Sequence, residues 1–104
     1  MELELELELE MEMELDFEWD EVKRDKNIEK HGVDLLEAAF IFDGPVYTTE
    51  DNRRDYGEVR LISLGLVDDV PYVVIHTERN GKIRLISAHK GGRKDYEKYQ
   101  DSFP

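Results

Sequence analysis

Residues 58–90, EVRLISLGLVDDVPYVVIHTERNGKIRLISAHK, hold three apolar runs separated by two polar pairs. Alternation within each run predicts strands over 58–66, 71–79 and 82–89. Asn80-Gly81 is a hairpin signal, because both positions tolerate the positive φ of a type I′ turn. Asp68-Asp69 supplies a second, less specific turn of the same length. Two-residue turns set the register. Arg79 then faces Lys82, Thr77 faces Arg84, Ile75 faces Ile86 and Val73 faces Ala88. Across the other hairpin Arg60 faces Thr77, Ile62 faces Ile75 and Leu64 faces Val73. One sheet face is therefore expected to carry the ladders Leu64–Val73–Ala88, Ile62–Ile75–Ile86 and Arg60–Thr77–Arg84. Arg79 and Lys82 lie beyond them. One end of that face is a core and the other a cationic shelf.

Arg60 and Arg84 are expected two strand spacings apart, about 10 Å. That gap admits a phosphodiester, with Thr77 as a hydroxyl between two guanidinium groups. Arginine suits phosphate because its planar donors bind in pairs and stay charged. Glu58 and Glu78 offer the plainer alternative, in which the arginines only pair with carboxylates at a solvated rim. A bulge in either hairpin breaks the alignment, since a one-residue slip turns every side chain over.

Upstream, Asp20 and Gly32 bracket a helix over 21–31 as N-cap and C-cap, with Val22 and Ile28 as its inward side. Asp34 with Glu37 resembles a capping box and opens a second helix, 35–42, which is nearly all apolar and so expected to be buried. Gly44-Pro45 ends it, Val46–Thr49 reads as a short strand, and 50–57 as a polar loop. A last helix is expected over 92–100. The order predicts an α+β fold: a small antiparallel sheet packed against two N-terminal helices plus a C-terminal helix.

The chain has 104 residues, 38% of them charged, with a formal net charge of −12. Residues 1–21 contain nine Glu, two Asp and no Lys or Arg. The remaining 83 residues hold 15 acidic and 14 basic side chains, a net of −1. One segment thus supplies nearly all the acidity, and the body is free to carry a local positive patch. From Glu2 to Phe17 acids alternate with Leu, Met or Phe, which puts the apolar side chains on one face of a strand. Fully extended, that segment would run about 50 Å, far beyond a typical strand. Three readings stand: a solvated tail, an amphipathic strand that adds to a sheet edge or joins subunits into a homo-oligomer, or an acidic cover for the basic patch. The expected division is a tail over 1–16 and a compact domain over 17–104. No apolar run is long enough to span a membrane, and no secretory signal is present, so a cytoplasmic protein is expected. Without cysteine there is no disulfide or thiolate chemistry.

His31, His76 and His89 show no metal-ligand spacing, and no HExxH, P-loop or GxSxG motif occurs. No metal and no cofactor are expected. His76 falls on the face opposite the arginines, between Leu61 and Leu85, where a structural role is expected. His31 ends the first helix, where a cation suits the helix dipole. His89 precedes Lys90 and Gly91-Gly92, a flexible pair that is permissive for a site.

Six segments stand in order: Phe17-Glu18-Trp19-Asp20, Asn27-x-x-Lys30-His31-Gly32-Val33, Ala38-Ala39-x-x-Phe42, Asp55-Tyr56-Gly57-Glu58-x-Arg60, Thr77-Glu78-Arg79 and Ile83-Arg84-x-Ile86-Ser87-Ala88-x-Lys90. Together they resemble the BrnT-type toxins of bacterial type II toxin–antitoxin systems, over about residues 17–99. The resemblance implies a RelE-like fold and a small metal-independent ribonuclease that inhibits translation. It also implies a cognate antitoxin with a DNA-binding part, expected to be of ribbon-helix-helix type, which neutralises the toxin and represses their operon. The family's basic positions match Arg60, Arg79, Arg84 and Lys90, and His31 matches the KHG motif. Two departures stand out. His89 replaces the usual arginine, and Gly91-Gly92 replaces a small residue such as Ala or Thr.

The expected chemistry is attack of the RNA's own 2′-OH on the adjacent phosphorus, with Arg60 and Arg84 stabilising the non-bridging oxygens. His89 and Lys90 are the candidate acid and base, with His31 and Glu58 behind them. Arg79, Lys82, Thr77, His31 and Tyr56 are candidate RNA-binding residues, and Tyr56 or Tyr96 a stacking platform. Two other classes remain open: a non-catalytic RNA-binding or antitoxin-binding module, and a protein that assembles through its N-terminal strand.

Overall fold

The computed structural model describes residues 15–103. The expected strand or tail over 1–16 therefore lies outside the described residues, except at Leu15 and Asp16. The elements are β1 (Phe17–Glu18), α1 (Glu21–His31), α2 (Leu35–Ala38), a 3₁₀ turn over Ala39–Asp43, β2 (Tyr47–Glu50), β3 (Leu61–Val67), β4 (Val70–Arg79), β5 (Lys82–Lys90) and α3 (Arg93–Ser102). The strands form one sheet in the order β1-β5-β4-β3-β2. It is mixed and not antiparallel as expected, because β1 pairs parallel with β5, Phe17 facing Ile83 and Glu18 facing Arg84. Among the described residues no helix is long and apolar enough to cross a membrane.

Both hairpins have two-residue turns. Val67 faces Val70 and Arg79 faces Lys82. All four turn residues, Asp68, Asp69, Asn80 and Gly81, have positive φ. The caps of α1 also form as expected. The Asp20 carboxylate accepts from the N–H groups of Val22 and Lys23, and Gly32 takes the left-handed conformation at φ 68°. The second helix is shorter than expected: one α-turn tightens at once into 3₁₀ geometry. That turn presses on β3 so closely that a Cβ at Gly65 would lie 2.7 Å from Ile41 Cβ. Phe40 points outward, against the expectation of a wholly buried segment.

Helices cover both sheet faces. α1, α2 and the 3₁₀ turn cover one, with Val33, Leu35, Ile41, Tyr72, Val74, Leu85 and Ala88 at its centre. α3 covers part of the other, where Tyr99 packs on Leu64 and Val73 and donates a 2.8 Å hydrogen bond to the Pro45 carbonyl. A bidentate pair, Arg24 Nε and Nη2 each 2.8 Å from Asp34, ties α1 to the N-cap of α2.

The middle of β5 departs from the expected register. Thr77 faces Arg84 and His76 faces Leu85, but Ile75 faces Ser87, Val74 faces Ala88 and Val73 faces His89. Ile86 is the extra residue of a β-bulge. The ladders Ile62–Ile75–Ile86 and Leu64–Val73–Ala88 therefore do not form. The apolar pattern explains the slip. An unbulged strand would turn Ser87 and His89 into the core with Leu85, and Ala88 out. The bulge places Leu85 and Ala88 together inside.

Asn27 locks this phase. β1 covers β5 only at Ile83 and Arg84, which leaves the outer edge at Ala88 open. The Asn27 side chain closes it. Its Oδ1 accepts from Ala88 N–H at 3.1 Å, and its Nδ2 donates to the carbonyls of Ala88 and Val33 at 2.9 and 2.7 Å. Asn27 is accordingly the buried residue of α1, whereas Val22 and Ile28 are exposed, reversing the expected inward side. An edge strand needs its backbone groups satisfied more than this helix needs an apolar contact.

His76 is buried between Leu61 and Leu85, as expected. Its Nε2 lies 2.7 Å from Ser63 Oγ, which is 2.7 Å from Thr48 Oγ1, and its ring meets Phe42 edge-on. Burial lowers its pKa beneath the ordinary 6.5, with Glu78 opposing.

Asn27→Ala should cost about 2–4 kcal/mol in urea unfolding, because it strands buried backbone groups. A cost below about 1 kcal/mol would show that the clasp contributes little. The second prediction concerns pH. The folded pKa of His76 lies below its unfolded value of 6.5, so its contribution is complete above 6.5 and falls as pH drops from there towards the folded pKa. His76→Gln should shallow the decline of stability as pH drops below 6.5. An unchanged slope would refute it.

Candidate functional site

The bulge decides what the open sheet face carries. Paired residues on neighbouring strands share a face. Arg84, Ser87 and His89 of β5 therefore line up on the face of Thr77, Ile75 and Val73. Ile62 and Leu64 belong to it too, and strand alternation adds Arg60. Continued one residue beyond β3, that alternation puts Arg60 on the side of Arg84, but of the expected ladder Arg60–Thr77–Arg84 only the Thr77–Arg84 pair forms, since β3 meets β4 from Leu61–His76 onward. Without the slip His89 would have faced the core.

Arg84 carries a neighbour from β1, Glu18, whose carboxylate lies 3.6 Å from Nη1. Both groups are part-exposed, so the pair is weak. Arg60 has no carboxylate partner within 4 Å among the described residues. Its guanidinium carbon stacks 4.0 Å above the Tyr56 ring, and its buried Nε has no hydrogen-bond partner among the described residues.

The loop between β2 and β3 places that arginine. Asp51 is 4% exposed and follows β2, with its N–H bonded to the Arg60 carbonyl at 2.7 Å. Its carboxylate accepts from Arg53 Nε at 2.8 Å, Arg53 Nη2 at 2.9 Å and the Tyr56 hydroxyl at 3.2 Å. The Arg53 bonds hold the Asp51 carboxyl well below the usual carboxylate range, against the cost of burial. Asp51 thus fixes Tyr56, and Tyr56 supports Arg60. Sequence reasoning took 50–57 as a polar loop and missed Asp51 and Arg53. The Asp-x-Arg-x-x-Tyr spacing was the available signal.

His89 is half-buried. Burial lowers its pKa, His31 and Arg53 lower it further, and Asp95 opposes them. Its ring centroid lies 5.9 Å from that of His31, at the last residue of α1. The Gly-Gly after Lys90 is not a loose hinge. Gly91 donates to the Pro71 carbonyl at 2.8 Å, and a Cβ there would lie 2.9 Å from Asp95 Cβ. Gly92 N–H donates to the Asp95 carboxylate at 2.9 Å, which caps α3.

Other expected site residues fall elsewhere. Lys90 pairs with Tyr72 and so belongs to the opposite face, because adjacent strand residues alternate. The Thr77 hydroxyl is buried and donates to the Val59 carbonyl at 2.6 Å, so it does not stand free between the arginines. Arg79 pairs with Glu58 at 2.7 Å, and that bond lowers the Glu58 pKa, which makes Glu58 a weak base. Lys82 lies 3.7 Å from Asp16. Tyr56 is a platform for Arg60, with its hydroxyl on Asp51. The Tyr96 hydroxyl lies 3.4 Å from Asp69, by the far hairpin.

These features define a small α+β domain with one basic sheet face, on which β5 carries a guanidinium, Arg84, and an imidazole, His89. Residues 19–95 match the family described as ribonuclease toxin, BrnT, of type II toxin–antitoxin system, and the chain belongs to that family. Its class of substrate is therefore RNA, and its partner an antitoxin. No curated protein matches the chain.

Asp51→Asn should release the Arg53 bonds and loosen residues 51–60. Amide exchange in that loop should accelerate, while exchange in β4 and β5 stays slow. Equal protection in variant and parent would remove Asp51 as the organiser of the loop.

Proposed function

We propose that the chain is a metal-independent endoribonuclease of RelE-like fold that arrests translation by cutting RNA. Residues 17–104 form the toxin domain in this reading. The observation that supports it is the bulge at Ile86, which aligns Arg84 and His89 on the face of Arg60. Arg60 and Arg84 bind the non-bridging oxygens of the scissile phosphate and stabilise the charge that grows there. His89 is kept neutral by its surroundings and takes the proton of the 2′-OH. The 2′-oxygen then bonds to phosphorus, and the bond from phosphorus to the 5′-oxygen breaks. His31, beside His89, returns a proton to that leaving oxygen. The products are a 2′,3′-cyclic phosphate and a 5′-hydroxyl. Lys90, on the other face, is left out of the chemistry.

The histidine replaces an arginine usual in the resembled family, so the base is a titratable group here. The antitoxin is read as a ribbon-helix-helix protein that represses the shared operon. The acidic segment before β1 remains the candidate for homo-oligomer formation. Deleting residues 2–14 and measuring molar mass tests that point.

Arg60→Ala and Arg84→Ala should each lower RNA cleavage about 100-fold or more, and abolish growth arrest, with the fold intact by circular dichroism. Cleavage should decline on the acid side as His89 becomes protonated, and His89→Ala should remove that limb. If both arginine variants cut RNA like the parent, the assignment fails. If the parent binds RNA but yields no cyclic ends, the non-catalytic binding module is the correct reading.

A further inference from the structure

α1 reads EVKRDKNIEKH, a mixture of charges without an obvious order. The Asn27 clasp fixes its rotation and sorts them. At 100° per residue, Lys23, Lys26, Lys30 and His31 share the side of Asn27, while Glu21, Asp25 and Glu29 lie on the opposite side. The lysine side faces the bulge. There Lys23, Lys26, Lys30 and His31 line a cleft of about 180 Å³ with Ile86 and Ser87. Among the described residues no carboxylate lines it, and none of the three lysines pairs with a carboxylate within 4 Å.

Three lysines at three- and four-residue spacing repel one another on a helix. Of the acids on the same helix Glu29 stands three residues from Lys26, yet among the described residues none comes within 4 Å of a cleft lysine. The arrangement is costly for α1 alone and useful to a polyanion. The cleft also adjoins the basic sheet face at the β5 edge. Ser87 belongs to both, and His31 at its rim is the neighbour of His89. Lysine differs from arginine in use here. A mobile point charge follows a phosphate backbone without fixing its geometry, whereas the paired donors of arginine hold one phosphate in place. From Lys23 to Lys30 the helix axis advances about 10 Å, enough for more than one phosphate.

We propose that the cleft between α1 and the β5 bulge is a backbone subsite that holds the RNA phosphates flanking the cleaved bond. It rests on the reading of the arginine face as the cleavage site, and extends it along the strand. The subsite contributes binding and register, and the chemistry stays with the arginine face.

The test uses the full chain with K23Q/K26Q/K30Q, three exposed positions. Binding of a 2′-O-methyl oligonucleotide, which cannot be cut, is measured against salt. The log–log slope should be shallower than the parent's by about 2, near 0.7 for each phosphate the variant leaves unneutralised. On a cleavable oligonucleotide the variant should raise KM about tenfold with little change in kcat. A dinucleotide, too short to reach the cleft, reports the arginine face alone. K23R/K26R/K30R should restore the parent's slope and KM. An unchanged slope and KM in the glutamine variant would overturn the subsite. So would an equal decline on dinucleotide and oligonucleotide, since that marks damage to the arginine face. A parent that cuts neither substrate would refute the cleavage reading, while the salt slope still decides the subsite.

Discussion

The side-chain amide of Asn27 is the hinge of this molecule. It stands in for a neighbouring strand, giving one acceptor and one donor to the Ala88 peptide where β1 has already ended. Two consequences follow from this one clasp. β5 is held with Ala88 inward, so Ser87 and His89 turn onto the arginine face. α1 is held at one rotation, so its lysines look into the cleft and its acids look away. Both parts of the proposed RNA path depend on the same three hydrogen bonds.

The basic face is assembled from three different kinds of support. Arg84 is positioned by strand pairing. Arg60 is positioned by a tyrosine that a buried aspartate holds from below. His31 is carried by the last turn of a helix whose end is fixed by Gly32. The carboxylates that could have neutralised the face are mostly engaged elsewhere. Asp51 is turned towards Arg53 and Tyr56, and Glu58 towards Arg79. Among the described residues only Glu18 lies within 4 Å of Arg60 or Arg84, in a part-exposed pair that solvent weakens and a phosphate can displace. The strong negative charge of the whole chain hides this organisation, because it is concentrated before α1.

Much of this was legible in the chain. The two hairpin turns, the caps Asp20, Gly32 and Asp34, and the pairing of Thr77 with Arg84 follow from local rules with short reach. The bulge was legible too, in retrospect. Ile83, Leu85 and Ala88 cannot share a face by simple alternation, while Ser87 and His89 would be poor core residues. Strict two-residue periodicity fails in β5 because the apolar pattern itself breaks there. The assumption of strict alternation puts Ala88 at the core end of the arginine face, with Leu64 and Val73, and assigns His89 no face.

Local residue types were sufficient for the strands, the turns, the helix ends and the family resemblance, since each depends on neighbours a few positions away. They were insufficient for the partners of polar side chains. Asn27 meets Ala88 across 61 residues, and Thr77 meets Val59 across a strand pair. Whether a lysine, an arginine or a hydroxyl is free or engaged depends on which groups folding brings within 3 or 4 Å of it. That is a property of distance in space, and distance along the chain carries almost no record of it.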